Sequence, residues 1–172
     1  MPVARHTTGR EKTASSRGRK SPPGGLRVLV LSGPNLNLLG KREPGIYGNL
    51  TLAEIIARLV AKGKKMGVRV SHFQSNHEGA LIDRIQKSGP AVDGILFNPG
   101  GYTHTSVALR DALLAVGTPF VEVHLSDPEK REPFRRRSFF TDIAVAQVKG
   151  LGPGSYPEAL DRLLAHLKTR PK

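Results

Sequence analysis

From Leu26 onward, short apolar runs alternate with stretches in which apolar residues recur every three or four positions. Leu26 to Leu31 is a compact run of leucine and β-branched residues, the pattern of a strand buried on both faces. Thr51 stands three residues before Glu54 and just ahead of Ile55, Ile56, Leu59 and Val60, a capping-box helix start, and Gly67 closes that helix. The same reading predicts strands at 68–74, 94–98, 120–125 and 143–148, and helices at 78–87, 106–116 and 157–167. Crossovers of this length suit parallel pairing, so the expected fold is α/β: an open parallel five-stranded sheet with helices on both faces. Its natural order is the flavodoxin-like 2-1-3-4-5, in which ligands bind beyond the carboxyl ends of the strands near the order reversal. The loops after strands one and three are therefore the ones to search.

Residues 1–24 break this pattern, being rich in Ser, Thr, Gly, Arg and Lys with almost no large apolar side chain. They cannot bury enough surface to offset ordering, so they are predicted to be a disordered basic tail ahead of a single domain over 25–172. An Arg- and Ser-rich, acid-poor start also resembles an organelle transit peptide, but the apolar stripe of an amphipathic helix is missing. The tail accounts for only part of the formal charge of +13, because residues 26–172 still hold 21 basic against 13 acidic residues. Nucleic-acid binding fits that sign poorly: the basic residues are dispersed and aromatics are 5% of the chain, so an anionic small substrate is the simpler explanation. With no cysteine, catalysis falls to oxygen and nitrogen groups. None of the six histidines forms H-E-x-x-H or an i,i+4 pair, which argues against a required metal. Neither a membrane span nor a secretory apolar stretch is visible, so a soluble, cytoplasmic protein is expected.

The loop after strand one, Gly33 to Gly48, lacks both the P-loop ending and the G-x-G-x-x-G spacing. Its glycines suit a mobile lid that delivers Arg42 and Tyr47 to a ligand, although both residues are equally compatible with packing and solvation. After strand three, Asn98-Pro99-Gly100-Gly101 leads through Thr103, His104 and Thr105 into a helix N-terminus, a place that favours anions. There, Thr105 as a helix cap and His104 as a surface histidine is the plainer alternative. Strand four puts Glu122 and His124 on one face, so the carboxylate can orient the imidazole, and burying such residues without purpose is costly. Arg131 and Arg135 follow in a connection expected to be helical, as i,i+4 neighbours able to clamp polar groups; Arg136 and Arg137 are read as solvated. No G-x-S-x-G elbow supports a serine hydrolase.

These segments together, Gly33 to Gly40, Arg42-Glu43-Pro44, Ile46-Tyr47-Gly48, Gln74 to Gly79, Asn98 to Gly101, Thr103 to Ser106, Glu122 to Ser126 and Arg131-Glu132 to Arg135, closely resemble the type II 3-dehydroquinate dehydratases. The resemblance runs from about Leu26 to Leu167. It implies a cofactor-free hydro-lyase that converts 3-dehydroquinate to 3-dehydroshikimate in the shikimate or quinate pathway, assembled as a homododecamer built from trimers. By motif position, Tyr47 is similar to the family's base, Arg42 to the cation that keeps its phenol ionised, His124 to the general acid, and Asn35 to the residue holding a water against the enolate. Asn98 with Leu125 and Ser126 resembles the grip on the substrate carboxylate, and His104 and Arg135 resemble hydroxyl-binding groups. Asp111 resembles a substrate-site residue supplied across the trimer interface, and Arg131 a supporting charge. The chain departs from the resemblance in its tail and at Ser155, where a glycine is commoner before the tyrosine; neither departure is expected to touch the site. The unrelated type I dehydratases use a lysine Schiff base in a (β/α)₈ barrel, which typically needs about 250 residues, so Lys41 has no support as a covalent catalyst.

Overall fold

The computed structural model describes residues 25–41 and 49–169. The expected tail at 1–24, and Arg42 and Tyr47 with the rest of 42–48, lie outside the described residues. The strands are β1 (Leu26–Ser32), β2 (Val68–Gln74), β3 (Gly94–Asn98), β4 (Phe120–Val123) and β5 (Ala146–Val148). All pairings are parallel and the order is β2-β1-β3-β4-β5, as the sequence pattern implies. The helices are α1 (Leu52–Lys65), α2 (Glu78–Ser88), α3 (Val107–Val116) and α4 (Ser155–Thr169).

Strand alternation divides the core in two. Val28 and Val30 pack with Leu96, Val121 and the apolar stripes of α1 and α4, whereas Leu29 and Leu31 pack with Ile95, Phe97 and those of α2 and α3. The capping box at α1 is complete: Thr51 Oγ1 accepts from the Glu54 N–H at 3.3 Å, and Glu54 Oε2 accepts from the Thr51 N–H at 2.8 Å. Gly67 follows that helix at φ +70°, a left-handed turn that glycine adopts without steric cost.

Strand β4 ends at Val123, short of the expected 125, and four further differences from the sequence expectation have local reasons. The cap of α3 is Ser106, whose Oγ accepts from the Leu109 N–H at 2.9 Å, so Thr105 is not the cap. Helix α4 begins at Ser155 and carries Pro157 in its first turn, where a missing N–H removes no helical bond. Strand β5 is shorter than expected because residues 140–144 form a turn, with Ile143 and Ala144 both donating to the Phe140 carbonyl. Residues 131–137 are not an α-helix: Pro133 holds Glu132 extended at ψ 148° and breaks the segment, leaving 3₁₀ turns at Pro128–Lys130 and Pro133–Arg135.

Candidate active site

The chain leaves β1, crosses to β2, and returns to pair β3 on the other side of β1, so the order reverses between β1 and β3. Gly33 follows β1, and its N–H donates to the Asn98 carbonyl at 2.8 Å. A Cβ on Gly33 would lie 2.2 Å from the Pro99 carbonyl oxygen, so only glycine lets these two loops approach. Next along, Asn35 is the only non-glycine residue with positive φ among the described residues, at φ 66°. Asparagine tolerates this conformation better than most residues, and Asn76 Oδ1 holds it by accepting the Asn35 N–H at 3.0 Å.

A cavity of about 260 Å³ opens over this switch point. Asn35 lines it from the β1 loop, Asn98 and His104 from the β3 side, and His124, Leu125 and Ser126 from the end of β4. Arg131 and Arg135 complete its basic wall. They meet there without a shared helix face, because both guanidinium groups pair with Glu132, Arg131 Nε at 3.5 Å and Arg135 Nε at 3.1 Å. Asp111 is exposed on α3 and is not part of this cavity.

His124 Nε2 lies 2.8 Å from Glu122 Oε1, and Glu122 is fully buried. Ser138 donates to the same oxygen at 2.6 Å, while Thr141 and Gln147 donate to Oε2 at 2.7 and 3.1 Å. Burial opposes the charge on Glu122, but the hydrogen bond and charge of His124, helped by Ser138 and Thr141, outweigh it and hold the carboxyl below its ordinary pKa. An ionised carboxylate only accepts, so Nε2 carries the proton and Nδ1 is the ring nitrogen left for other partners. Phe140 brings Ser138 and Thr141 into place; its buried ring meets Phe97 edge-on with centroids 5.3 Å apart. At His104 the arrangement is reversed, since Nδ1 donates to the Arg137 carbonyl at 2.7 Å and Nε2 remains free to accept.

The carbonyls of Leu125 and Ser126 accept from Gly152 and Gly150 at 2.9 and 3.2 Å. Among the described residues, their own N–H groups donate to no other protein atom. Two successive unused amides beside Arg131 and Arg135 suit an anion such as a carboxylate. A second cavity of about 230 Å³ lies behind this wall and shares His104, His124 and Arg135 with the first. No group of three His, Cys, Asp or Glu among the described residues is arranged to hold a metal ion.

Two contributions escaped the sequence reading. Asn76 and Gln74, part of the polar run after β2, brace the β1 loop: Gln74 Nε2 donates to Asn76 Oδ1 at 3.1 Å and to the Gly33 carbonyl at 3.3 Å. Tyr156, next to the departure at Ser155, accepts from Asn98 Nδ2 with its hydroxyl at 3.3 Å. The polar cluster at 74–78 was a signal for the first; nothing local to Tyr156 signals the second.

The family model described as Dehydroquinase class II matches residues 26–164. The chain belongs to the class II dehydroquinases. Among curated relatives it is 57% identical over 146 residues to the 3-dehydroquinate dehydratase of Alkalilimnicola ehrlichii, covering 84% of this chain and 96% of that protein. It is 52% identical over 146 residues to the catabolic 3-dehydroquinase 1 of Aspergillus fumigatus, with 85% and 97% covered. The crystal structure of the type II dehydroquinase from Butyrivibrio crossotus shares the dehydroquinase fold at a TM-score of 0.79 and 42% identity, covering 81% of this chain and 98% of that one.

Proposed function

We propose that this class II dehydroquinase dehydrates 3-dehydroquinate to 3-dehydroshikimate by anti elimination through an enolate. The observation that carries this is the family match across residues 26–164, together with a basic, switch-point cavity lined by Asn35, Asn98, His124 and Arg135. Loss of the proton beside a ketone needs a strong base, and a phenol of ordinary pKa about 10 supplies one only when a cation stabilises its phenolate. Tyr47 is proposed as that base and Arg42 as that cation. The C–H electron pair becomes the enolate, which re-forms the carbonyl in a conjugated enone as the C–O bond breaks. His124 gives a proton to the departing hydroxyl, so water leaves, and Glu122 keeps the imidazole oriented. Solvent returns a proton from the phenol to the imidazole.

Asn98 with the two free amides of Leu125 and Ser126 would hold the carboxylate, His104 and Arg135 would take hydroxyls, and Arg131 would add positive charge. Asn35 would hold a water against the enolate oxygen. Asp111, exposed and outside its own cavity, is proposed to serve a neighbouring subunit in a dodecamer built from trimers. The described residues contain no helix long and apolar enough to cross a membrane, and the proposed compartment is the cytoplasm. Adding 3-dehydroquinate should raise ultraviolet absorbance as the enone forms. A folded protein that leaves the absorbance flat would remove the proposal, and an adduct trapped by borohydride would replace it with Schiff-base chemistry.

A further inference from the structure

A line of buried polar groups runs from the cavity through the core to the far edge of the sheet. Asn98, at the end of β3, is 3% exposed and ties its amide at both ends. Its Oδ1 accepts from the Gly100 N–H at 3.2 Å, and its Nδ2 lies 3.3 Å from the Tyr156 hydroxyl. The Gly100 amide can only donate, so the oxygen of the carboxamide must face it and the nitrogen must face Tyr156. The Tyr156 oxygen therefore accepts from Asn98, and the Ser32 hydroxyl lies against the same phenol. Ser32, fully buried at the end of β1, lies 3.1 Å from His72 Nε2 on the edge strand β2. Burial raises the Tyr156 pKa, so the phenol keeps its proton, and lowers that of His72.

We infer that Tyr156, backed by Ser32 and His72, is a positioning residue that locks the Asn98 carboxamide so that its second N–H is presented to the carboxylate of the substrate. The inference rests on the reading of Asn98 as part of the carboxylate grip. Tyr156 is fully buried and touches no substrate; it acts through Asn98 alone. Of the two amide protons on Asn98 Nδ2, one is spent on Tyr156, which fixes the direction of the other. Without the hydroxyl, the carboxamide is anchored only through Gly100 and can twist about its terminal torsion, whose well is broad.

The test uses the full chain. Replacing Tyr156 by Phe should raise KM for 3-dehydroquinate about three- to tenfold, the range for one neutral hydrogen bond, with the loss falling mainly on KM because the contact is made equally in ground and transition states. Ser32→Ala should move KM the same way by a smaller factor, and it carries the test if Tyr156→Phe does not fold. In an Asn98→Ala background, Tyr156→Phe should add less than about twofold, since the two changes remove one coupled function. Calorimetry with quinate, which has no ketone to enolise, reads the same grip without turnover; its hydroxymethyl counterpart, lacking the carboxylate, should bind equally to parent and variant. An effect of undiminished size in the Asn98→Ala background, a fall in kcat at constant KM, or equal weakening of both ring ligands would overturn the inference while leaving the dehydratase reading intact. A folded parent that neither turns over 3-dehydroquinate nor binds quinate would overturn both.

Discussion

Glu122 shows how a single side chain combines cost and use. It has no exposure, yet three neutral donors and one imidazole surround its two oxygens. Glu122→Gln replaces an acceptor-only group with one that must also place two N–H donors among groups that themselves donate. We expect kcat to fall about 10² to 10³-fold, within the usual range for disabling an acid catalyst, with KM changed less; steady-state kinetics would show this, and parental kcat would remove Glu122 from the mechanism. The lowered pKa has a second consequence. A carboxyl whose folded pKa lies below its unfolded value contributes stability that is fully present above the unfolded value, about 4.3. That contribution disappears as pH falls through the folded pKa. Urea midpoints should therefore drop more steeply for the parent than for Glu122→Gln as the solution is taken below that point, and parallel curves would contradict the assignment. The pairing of Glu122 with His124 was legible from strand alternation alone. Their polar surroundings were not, because Ser138, Thr141 and Gln147 reach the carboxylate from distant positions in the chain.

Elements were legible where local chemistry decides them and less so where packing does. Strands β2 and β3 and the capping box of α1 match the sequence pattern residue for residue, since periodicity and Thr51 with Glu54 need no distant partner. The arginine segment was misread as a helix because charge spacing was weighed above Pro133, whose ring and missing N–H outweigh any i,i+4 attraction. The two arginines still share the cavity wall, brought there by Glu132. At the β1 and β3 loops, the required residue is Gly33. Gly33→Ala forces the Pro99 carbonyl away and with it the loops bearing Asn35 and Asn98, so it should abolish detectable turnover and cost several kcal/mol of stability, beyond about 3. Thermal denaturation of this variant beside Thr51→Ala, which should lose only about 0.5–2 kcal/mol, would separate a broken junction from a lost cap. Equal, small losses in both would mean that the junction is pliable.

At the scale of the molecule, the parallel order followed from alternation and crossover length, and it located the cavity before any site residue was weighed. The basic charge was legible too, but its division between tail and domain decides what it does. Residues 1–24 carry six basic residues and one acidic residue, so deletion of the tail takes the formal charge from +13 to +8. Among the described residues, the cavity is lined only from Pro34 onward. The truncated protein should keep its kcat within about twofold, and should show a similar fall in kcat/KM with added salt, because the charges that attract an anion sit near the cavity. Loss of turnover on truncation would assign the tail a catalytic part.

The two cavities that meet at His124 imply something about the vacancy its removal would leave. In His124→Ala the ring that helps to separate them is gone, and the chambers of about 260 and 230 Å³ become continuous around the Glu122 carboxylate. Free imidazole entering that gap would find the same acceptor that the native ring uses, so millimolar imidazole should restore part of the lost rate in this variant and leave Glu122→Gln unrescued. The proposed acid would then be a replaceable part, lent to the reaction by the chain but not bound to it by necessity.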